Sequence, residues 1–444
     1  MSTEARLEPA PKSDGDDVAA PGMARRRESP VPTLRVRFRS WRQRGLARRV
    51  LVSTHRWSAL LLGVFLVAQT TSGAVLLYHA DLFRAANTTF YEHADSRREI
   101  SPQQAIAAVS AVHPDFSPSW VSRDRGILAV GNSERTFVYA VDPGTGKVNG
   151  GLRLDEGFLS WLANMHRCAF TCPEYAGYVP LLAKPVPSVG FEWPKGTNWG
   201  RLIIIVLAVL LLMLTIIGAF TSSLALRRAL RGLRTRARKN RFARDYHLHQ
   251  VIGIVAVPFL LLWAFTGTEF FLPAVEKAWL TVTGGHQQSK DVAFPASPVP
   301  AGTPDIGVDK AVAAALRATA GEFRYVLVPD RNANYYQVFL ASSYASRGER
   351  LFFSGDRLVY VDQHDPTHVM TRLDDEQPVA NAVYYKVLEQ AHFGWAVNGW
   401  WRTIWLAFGV VPLGLMITGG STWLVRRRLL RRKRRAGRPD VVTE

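Results

Sequence analysis

The sequence predicts an α-helical polytopic membrane protein with four transmembrane helices, in duplicated two-helix units, and two α+β domains outside the membrane. Four segments free of Asp, Glu, Lys and Arg approach or exceed the about 20 residues that span bilayer hydrocarbon. They occur in a chain that is 20% charged. One charge at the centre of such a helix costs about 2.5 to 3.5 kcal/mol, so spanning helices are favoured over soluble core helices. The segments are residues 57–78, 202–226, 250–268 and 403–425.

The arginines indicate which side of the membrane is cytoplasmic. Lys and Arg accumulate in cytoplasmic flanks, and here they precede the first segment, fill the second-to-third connection and follow the fourth. Both termini are therefore expected in the cytoplasm, with the two long connections on the opposite face. The net charge of +19 follows from this rule and from attraction to anionic membrane lipid, and no nucleic-acid partner is predicted.

These patterns divide the chain into nine segments. The first apolar run begins too late and is too long for a cleavable signal peptide, so it is expected to stay as an anchor. The predicted segments are a disordered basic cytoplasmic tail (1–48), transmembrane helix 1 (52–80), a first extracytoplasmic domain (81–196), transmembrane helix 2 (199–226), a basic cytoplasmic loop (227–246), transmembrane helix 3 (247–272), a second extracytoplasmic domain (273–390), transmembrane helix 4 (392–425) and a basic cytoplasmic tail (426–444).

Each of the two long connections has room for a small domain, and both show the same order of elements. A helix capped by Ser101 is followed by strand-like segments and by a Pro/Gly turn that closes a hairpin. The second connection repeats this order. The predicted elements are a helix at 101–112, strands at 126–130 and 136–141, the turn at 142–146, then a helix at 309–318, strands at 325–328 and 335–340, and a further pair around 354–357.

The repeat continues into the membrane segments. A histidine precedes a glycine by eighteen residues in the first and third segments, and an arginine precedes a glycine by seventeen at the second and fourth. Eighteen residues make five helical turns, about 27 Å, so each histidine and its glycine share a helix face at opposite membrane borders. The pairs are His55 with Gly73, His249 with Gly267, Arg201 with Gly218, and Arg402 with Gly419.

Four histidines are candidate haem ligands. The predicted orientation places His55 and His249 at the cytoplasmic border, and His166 and His392 on the outer side. A b-type haem in a helix bundle needs two neutral imidazoles facing each other, with small residues that let the macrocycle approach the backbone. The sequence therefore predicts two haem b groups, one at each border. The alternative for each histidine alone is an interfacial polar residue.

Two further histidines compete for these roles. His247 lies two residues before His249, and on a helix the two point to different sides, so only one can face a shared partner. The repeat selects His249. His79 lies at the exit of the first segment, but Pro273 stands at the equivalent place after the third segment.

Arg201 and Arg402 precede the second and fourth segments and could bind haem propionates, because a guanidinium binds carboxylates in a bidentate manner. Alternatively they only bound the spans, with Trp199, Trp400 and Trp401 in the interfacial aromatic belt.

Cys168 and Cys172 follow His166 on the outer side, where oxidising conditions favour a short-loop disulfide. We interpret the pair as a structural staple. A redox dithiol beside the outer haem is the alternative, and spacing does not decide between them.

With these motifs the chain resembles the PepSY-associated transmembrane-helix family, iron-regulated inner-membrane proteins that include ferrisiderophore reductases. The likeness runs from about His55 to Arg428. It implies PepSY-like extracytoplasmic domains, a place in the bacterial cytoplasmic membrane and a haem-bearing electron conduit. The matching features are His55-Arg56-Trp57 with Thr71-Ser72-Gly73, Asp245 and His249 with Gly253 and Phe265-Thr266-Gly267, the hairpin turn at 141–147, and His392-Phe393-Gly394 before Ile417-Thr418-Gly419.

The leading hypothesis is a membrane oxidoreductase in which electrons pass from the His55/His249 haem to the His166/His392 haem. The acceptor would be a ferric siderophore or another ferric chelate. The sequence has no phosphate-cradling Gly-x-Gly-x-x-Gly turn after a strand, so a separate cytoplasmic reductase or a quinol is expected as electron donor. The second hypothesis is a non-catalytic membrane-anchored PepSY protein that binds or regulates an extracytoplasmic partner. A transporter is disfavoured, because no span shows a buried carboxylate or a broken helix.

Overall fold

The structure is a computed structural model. It describes residues 33–187, 196–223, 241–287, 294, 300, 302–330, 333–342, 350–352, 355–372, 378–395 and 399–436.

Long apolar helices alternate along the chain with a region of short helices and strands. A 3₁₀ segment, Thr88–Tyr91, and a π-helical segment, Val383–Leu388, accompany the α-helices. The α-helices are α1 (Thr33–Leu76), α2 (His79–Ala86), α3 (Pro102–Val112), α4 (Gly157–Cys168), α5 (Trp199–Ser223), α6 (Arg241–Glu269), α7 (Pro273–Thr283), α8 (Val308–Ala318), α9 (Val379–Ala382), α10 (Glu389–His392) and α11 (Trp401–Ala436).

Four of the described helices are long and apolar enough to cross a membrane, as predicted. We call these spans 1 to 4, and they comprise Gly45–Leu76, Trp199–Ser222, Arg241–Glu269 and Trp401–Arg432. Span 3 packs against spans 2 and 4. Leu66 of span 1 packs into a cluster with Leu207, Leu210 and Leu214 of span 2. Close approach of span 4 to span 1 requires Gly409, because a Cβ there would lie 2.7 Å from the Cβ of Ala74.

Several helix ends differ from the predicted boundaries. Helix α1 begins at Thr33, so residues 33–48 are helical rather than disordered; no proline follows Pro32 in this Arg-rich stretch, and Arg favours helix. Residues 1–32 lie outside the described part. Within the described residues, the chain divides into two compact units after Val50. Within the predicted basic loop 227–246, residues 241–246 form the first turns of α6, and 227–240 lie outside the described residues, as do 224–226 of predicted helix 2.

The largest correction concerns the fourth predicted transmembrane segment, 392–425. His392 is the last residue of α10, and the spanning helix α11 begins only at Trp401. Between them, Gly394 and Gly399 adopt φ values of +69° and +54°. The left-handed region favours glycine and interrupts an α-helix. His392 therefore stands on a separate short helix, and the predicted tail 426–444 is helical up to Ala436.

The strands form one antiparallel sheet, where two separate domains were predicted. Its strand order is β4-β3-β2-β1-β5-β6-β7-β8. The central pair joins the two halves: Trp120, Val121 and Ser122 of β1 lie opposite Leu327, Val326 and Tyr325 of β5. The strands are β1 (Trp120–Asp124), β2 (Ile127–Gly131), β3 (Phe137–Val141), β4 (Val148–Arg153), β5 (Glu322–Leu327), β6 (Tyr335–Ala341), β7 (Arg357–Asp362) and β8 (Val369–Arg372).

The sheet buries both faces. Alternation along β2 sends Leu128 and Val130 to a core shared with α3 and α8, and Ile127 and Ala129 to the opposite face with Trp120. The predicted turn after β3 closes the β3–β4 hairpin, with hydrogen bonds that include Gly146 N to the Asp142 carbonyl at 2.8 Å. Of the predicted pair around 354–357, Ser354 lies outside the described residues and Arg357 begins β7.

Helices α3 and α8 cap each other across the two halves of the sheet. Asp309 of α8 accepts from the backbone N–H of Gln103 at 3.0 Å, and Gln103 accepts from the backbone N–H of Val308 at 2.7 Å. The first N–H groups of a helix lack partners within it. Each half thus satisfies a helix terminus of the other, in addition to the predicted Ser101 cap.

A charge introduced at the β1–β5 junction is expected to destabilise the sheet. Val121 is fully buried there, and a buried unpaired carboxylate costs several kcal/mol. We expect Val121→Asp to lower the midpoint of thermal unfolding, measured by size-exclusion chromatography after heating in detergent. The matched control is Val112→Asp on α3, where the side chain is 60% exposed. Equal midpoints for the two variants would contradict the described junction.

Candidate functional site

The first histidine pair lies at the basic end of the bundle, by which we mean the end where spans 1 and 3 begin. His55 projects from span 1 and His249 from span 3, with ring centroids 6.3 Å apart and ring planes at 89°. The ring of His247 contacts Tyr246 instead, at a centroid distance of 5.8 Å. The structure thus pairs His55 with the histidine that the repeat selects.

The second pair lies at the sheet end, where spans 1 and 3 finish. His166 of α4 and His392 of α10 have ring centroids 6.4 Å apart and ring planes at 46°. Burial lowers the pKa of His166 to about 4 and that of His392 to about 3. Both imidazoles are therefore neutral near neutral pH. The competitor His79 has its ring against Phe83, at a centroid distance of 6.4 Å.

Hydrogen bonds place the proton of His249 on Nδ1. This nitrogen lies 3.0 Å from the carbonyl oxygen of Leu415 and 3.1 Å from Oγ1 of Thr418. A carbonyl only accepts, so Nδ1 carries the proton and donates it. The Thr418 hydroxyl donates its own proton to the Gly414 carbonyl at 2.8 Å, which leaves its lone pair for His249. Nε2 of His249 keeps a lone pair that can bind a metal.

At the sheet end, a carbonyl holds His166 in the same tautomer and a hydroxyl contacts His392. Nδ1 of His166 donates to the Gln69 carbonyl at 2.9 Å and lies 3.1 Å from Oγ of Ser72. Nδ1 of His392 lies 2.6 Å from Oγ1 of Thr266, which donates to the carbonyl four residues earlier at 2.7 Å. With the Thr266 proton directed to that carbonyl, the hydroxyl oxygen can accept a hydrogen bond from Nδ1–H of His392. Both Nε2 atoms are left for a ligand.

His55 differs from the other three histidines. Its Nδ1 is buried and has no hydrogen-bond partner among the described residues. The Leu214 carbonyl of span 2 lies nearby but outside hydrogen-bonding geometry. Leu214 precedes Gly218 by four residues, as Leu415 precedes Gly419.

Three of the repeated glycines make room for an imidazole from another helix. A Cβ at Gly73 would lie 2.6 Å from Cε1 of His166, and one at Gly419 would lie 3.2 Å from Cε1 of His249. At Gly218 the corresponding distance to Cε1 of His55 is 3.4 Å. The backbone carbonyl that faces an imidazole belongs to the residue four positions before the glycine. Because glycine has no side chain, the imidazole can reach this carbonyl. A Cβ at Gly267 would instead meet Ala208, at 3.3 Å.

An apolar cavity of ≈ 390 Å³ opens between the spans beside the sheet-end pair. His166 and His392 both line it, with Gly73 and with aromatic side chains from spans 3 and 4, Trp263 and Trp405. Ligand sites in proteins are commonly apolar cavities of about 300 to 1,000 Å³ with a few polar groups. Across the described residues, no group of three or more His, Cys, Asp or Glu side chains could hold a bare metal ion.

The two candidate arginines have different surroundings. Arg402 forms an ion pair with Asp81 at 2.8 Å, and its guanidinium lies 4.5 Å from the ring centroid of Tyr78. Arg201 lies 5.3 Å from the ring centroid of Phe271, and its Nε is buried without a hydrogen-bond partner. No acidic side chain pairs with Arg201 in the part of the chain that the structure describes. Neither arginine lines the cavity.

A disulfide joins Cys168 and Cys172 directly after His166, with the Cα atoms 5.7 Å apart. The buried amide of Asn164 holds the same loop, donating to the Cys172 carbonyl at 3.0 Å and accepting from the Cys172 N–H at 3.2 Å. The loop also packs against span 2, because a Cβ at Gly200 would lie 2.7 Å from the Cys168 carbonyl oxygen. These contacts fix the end of the helix that carries His166.

Sequence reasoning did not assign the hydroxyls that hold the imidazoles. Ser72, Thr266 and Thr418 each stand directly before a repeated glycine. The matched Thr-Ser-Gly and Phe-Thr-Gly triplets contained this signal, but only the packing shows which histidine each hydroxyl reaches.

Together, the four spans, the antiparallel sheet and the two partly buried histidine pairs define a polytopic membrane protein with paired histidines at both ends of its helix bundle. A family model for the PepSY-associated TM region matches residues 52–426. The chain belongs to this family, as its motifs predicted. No curated protein matches it.

The disulfide can be checked by mass spectrometry. Alkylation of the denatured, unreduced protein is expected to leave Cys168 and Cys172 unmodified, because each sulfur is bonded to the other. Reduction before alkylation should add one label to each. The chain has no other cysteine, so the intact mass gives the result directly. Labelling without reduction would contradict the disulfide.

Proposed function

We propose that the chain is a membrane electron-transfer protein that binds two haem b groups, one between His55 and His249 and one between His166 and His392. The observation that carries this proposal is the centroid separation of 6.3 Å in one pair and 6.4 Å in the other. Imidazole nitrogens bind metals at about 2.0 to 2.1 Å, and at these separations the two rings of each pair are close enough that both would hold one haem iron.

The hydrogen-bond pattern supports the same function. A metal-ligating histidine usually donates its second ring N–H to a carbonyl or another acceptor, which fixes its tautomer and raises its basicity. His166 and His249 do so, and Nδ1 of His392 lies 2.6 Å from the Thr266 hydroxyl, which can accept in the same way. The two histidines of each pair lie on separate helices, as in haem sites where the ligands come from different parts of the chain.

The cavity at the sheet end supports a porphyrin there. The cavity beside His166 and His392 is apolar and lies between the spans, as haem sites in helix bundles do. Bound haem would supply one-electron chemistry, and the chain would provide the imidazole ligands, orientation and exclusion of water. Of the two arginines, Arg201 is the better candidate to bind a haem propionate. Arg402 already has Asp81 as an ion-pair partner.

Two pairs at opposite ends of one bundle would carry electrons across a membrane. The arginine-rich flanks favour cytoplasmic termini, so His55 and His249 would receive electrons from a separate cytoplasmic reductase or from quinol. The family resemblance favours the bacterial inner membrane, PepSY-like outer domains that arose by duplication, and a ferric siderophore or another ferric chelate as acceptor.

An absorption spectrum with pyridine haemochrome quantitation tests this function. Protein purified from haem-replete cells should show a Soret band and a reducible α band, with two haem b groups per chain. His249→Ala should remove one haem and His392→Ala the other, because each leaves one imidazole without its partner. The controls His247→Ala and His79→Ala should retain both.

A colourless wild-type protein would overturn the proposal. Colourless protein that still bound an extracytoplasmic partner would favour the non-catalytic alternative. Equal haem loss in the control and ligand variants would contradict the assignment of ligands.

Gly73→Val is expected to abolish the sheet-end site selectively. A Cβ at Gly73 would lie 2.6 Å from Cε1 of His166, so a side chain must displace the imidazole. The matched control on the same span is Gly63→Val, where the nearest atom, Sδ of Met416, is 3.8 Å from the added Cβ. Haem content should fall to one per chain in the first variant and stay at two in the second. The same haem content in both variants would contradict the role of Gly73.

A further inference from the structure

A residue with a hydroxyl directly precedes the repeated glycine in spans 1, 3 and 4, but not in span 2. The three residues are Ser72, Thr266 and Thr418, and each hydroxyl lies within 3.1 Å of Nδ1 of a paired histidine. Span 2 has Ile217 at this position, directly before Gly218. Isoleucine offers neither a donor nor an acceptor.

The packing around Gly218, which follows Ile217, is similar to that around Gly419, which follows Thr418. A Cβ at Gly218 would lie 3.4 Å from Cε1 and 3.9 Å from Nδ1 of His55. The equivalent distances from Gly419 to His249 are 3.2 Å and 3.4 Å. The two histidines thus occupy similar grooves on spans 2 and 4, and they differ in whether a hydroxyl is present.

The consequence is visible at His55. Of the four Nδ1 atoms in the two pairs, that of His55 is buried without a hydrogen-bond partner among the described residues, and the Leu214 carbonyl nearby lies outside hydrogen-bonding geometry. An acceptor on Nδ1–H raises the basicity of the opposite nitrogen and fixes the ring orientation. His55 is therefore the weaker donor to a metal, and His249, held by Thr418 and the Leu415 carbonyl, is the stronger.

We infer that Ile217 and Thr418 are positioning residues with opposite effects on the basic-end haem, so that His55 and His249 would be unequal ligands of that haem. This inference rests on the proposed haem function. A more basic ligand stabilises the ferric state relative to the ferrous state, which lowers the reduction potential. Ile217 thus keeps the basic-end haem at a higher potential than a hydroxyl at the same place would.

The test adds the missing hydroxyl. In Ile217→Thr, the hydroxyl can donate to the carbonyl of Met213, four residues earlier, and accept from Nδ1 of His55, as Thr418 does with Gly414 and His249. Redox titration followed by visible absorption is expected to show a lower potential for one haem and an unchanged potential for the other. The low-spin ferric electron paramagnetic resonance signal of the same haem should shift, because the ring of His55 becomes fixed.

Three control variants separate this effect from packing. Ile217→Val has nearly the shape of the threonine variant without the hydroxyl and should leave the potential where it is. Ile216→Thr introduces the same hydroxyl at a neighbouring position that is 53% exposed, and it should change neither haem. Thr418→Val removes the hydroxyl beside His249 and should raise the potential of the haem that Ile217→Thr lowers.

Thr266→Val shows which step of the redox titration belongs to which haem. It removes the hydroxyl beside His392 and should raise the potential of the sheet-end haem only. Unchanged potentials in Ile217→Thr with both haems bound would overturn the inference and leave the proposed function intact. Equal shifts in the Thr and Val variants at position 217 would also overturn it. Absence of haem from the wild-type protein would instead overturn the proposed function.

Discussion

The arrangement of the bundle depends on one contact, the hydrogen bond from an imidazole Nδ1 on one helix to a backbone carbonyl on another. Helix carbonyls are normally shielded by the side chain one turn later, and glycine at that place removes the shield. Gln69 with Gly73 and Leu415 with Gly419 show this geometry. In hydrocarbon an unsatisfied polar group costs several kcal/mol, so the contact fixes both ring orientation and helix separation. Glycine and histidine thus act as one unit, although they lie on different helices.

The spans and the histidine pairs were predictable because both depend on regular spacing. Charge-free length located the spans, and the repeated distance from His249 to Gly267 distinguished His249 from His247. The single sheet was not predictable, because Val121 and Val326 are equally apolar whether they face each other or lie in separate domains. The break before Trp401 was missed because His392, Gly394 and Gly399 fall within an otherwise spanning pattern. Loop conformation depends on backbone angles that apolar periodicity does not report.

The two halves of the molecule are alike in element order and unlike in chemical detail. Arg402 has an acidic partner in Asp81, whereas Arg201 packs on Phe271. Thr418 carries a hydroxyl that Ile217 lacks. The disulfide loop after His166 has no counterpart after His392, where the chain turns at Gly394. A repeated framework therefore supplies the positions, and the differences between halves can give the two histidine pairs different electronic properties.

The junction of β1 with β5 has a consequence for biosynthesis. Ribosomes deliver the chain from its N-terminus, so Trp120–Asp124 is made long before its neighbour Glu322–Leu327, with spans 2 and 3 inserted in between. During that interval β1 has an open edge that invites pairing with other chains. Contacts between such distant residues also form slowly. The sheet can be completed only after the second half of the polypeptide has been made. A product truncated before β5 would leave the edge of β1 unpaired and prone to aggregation.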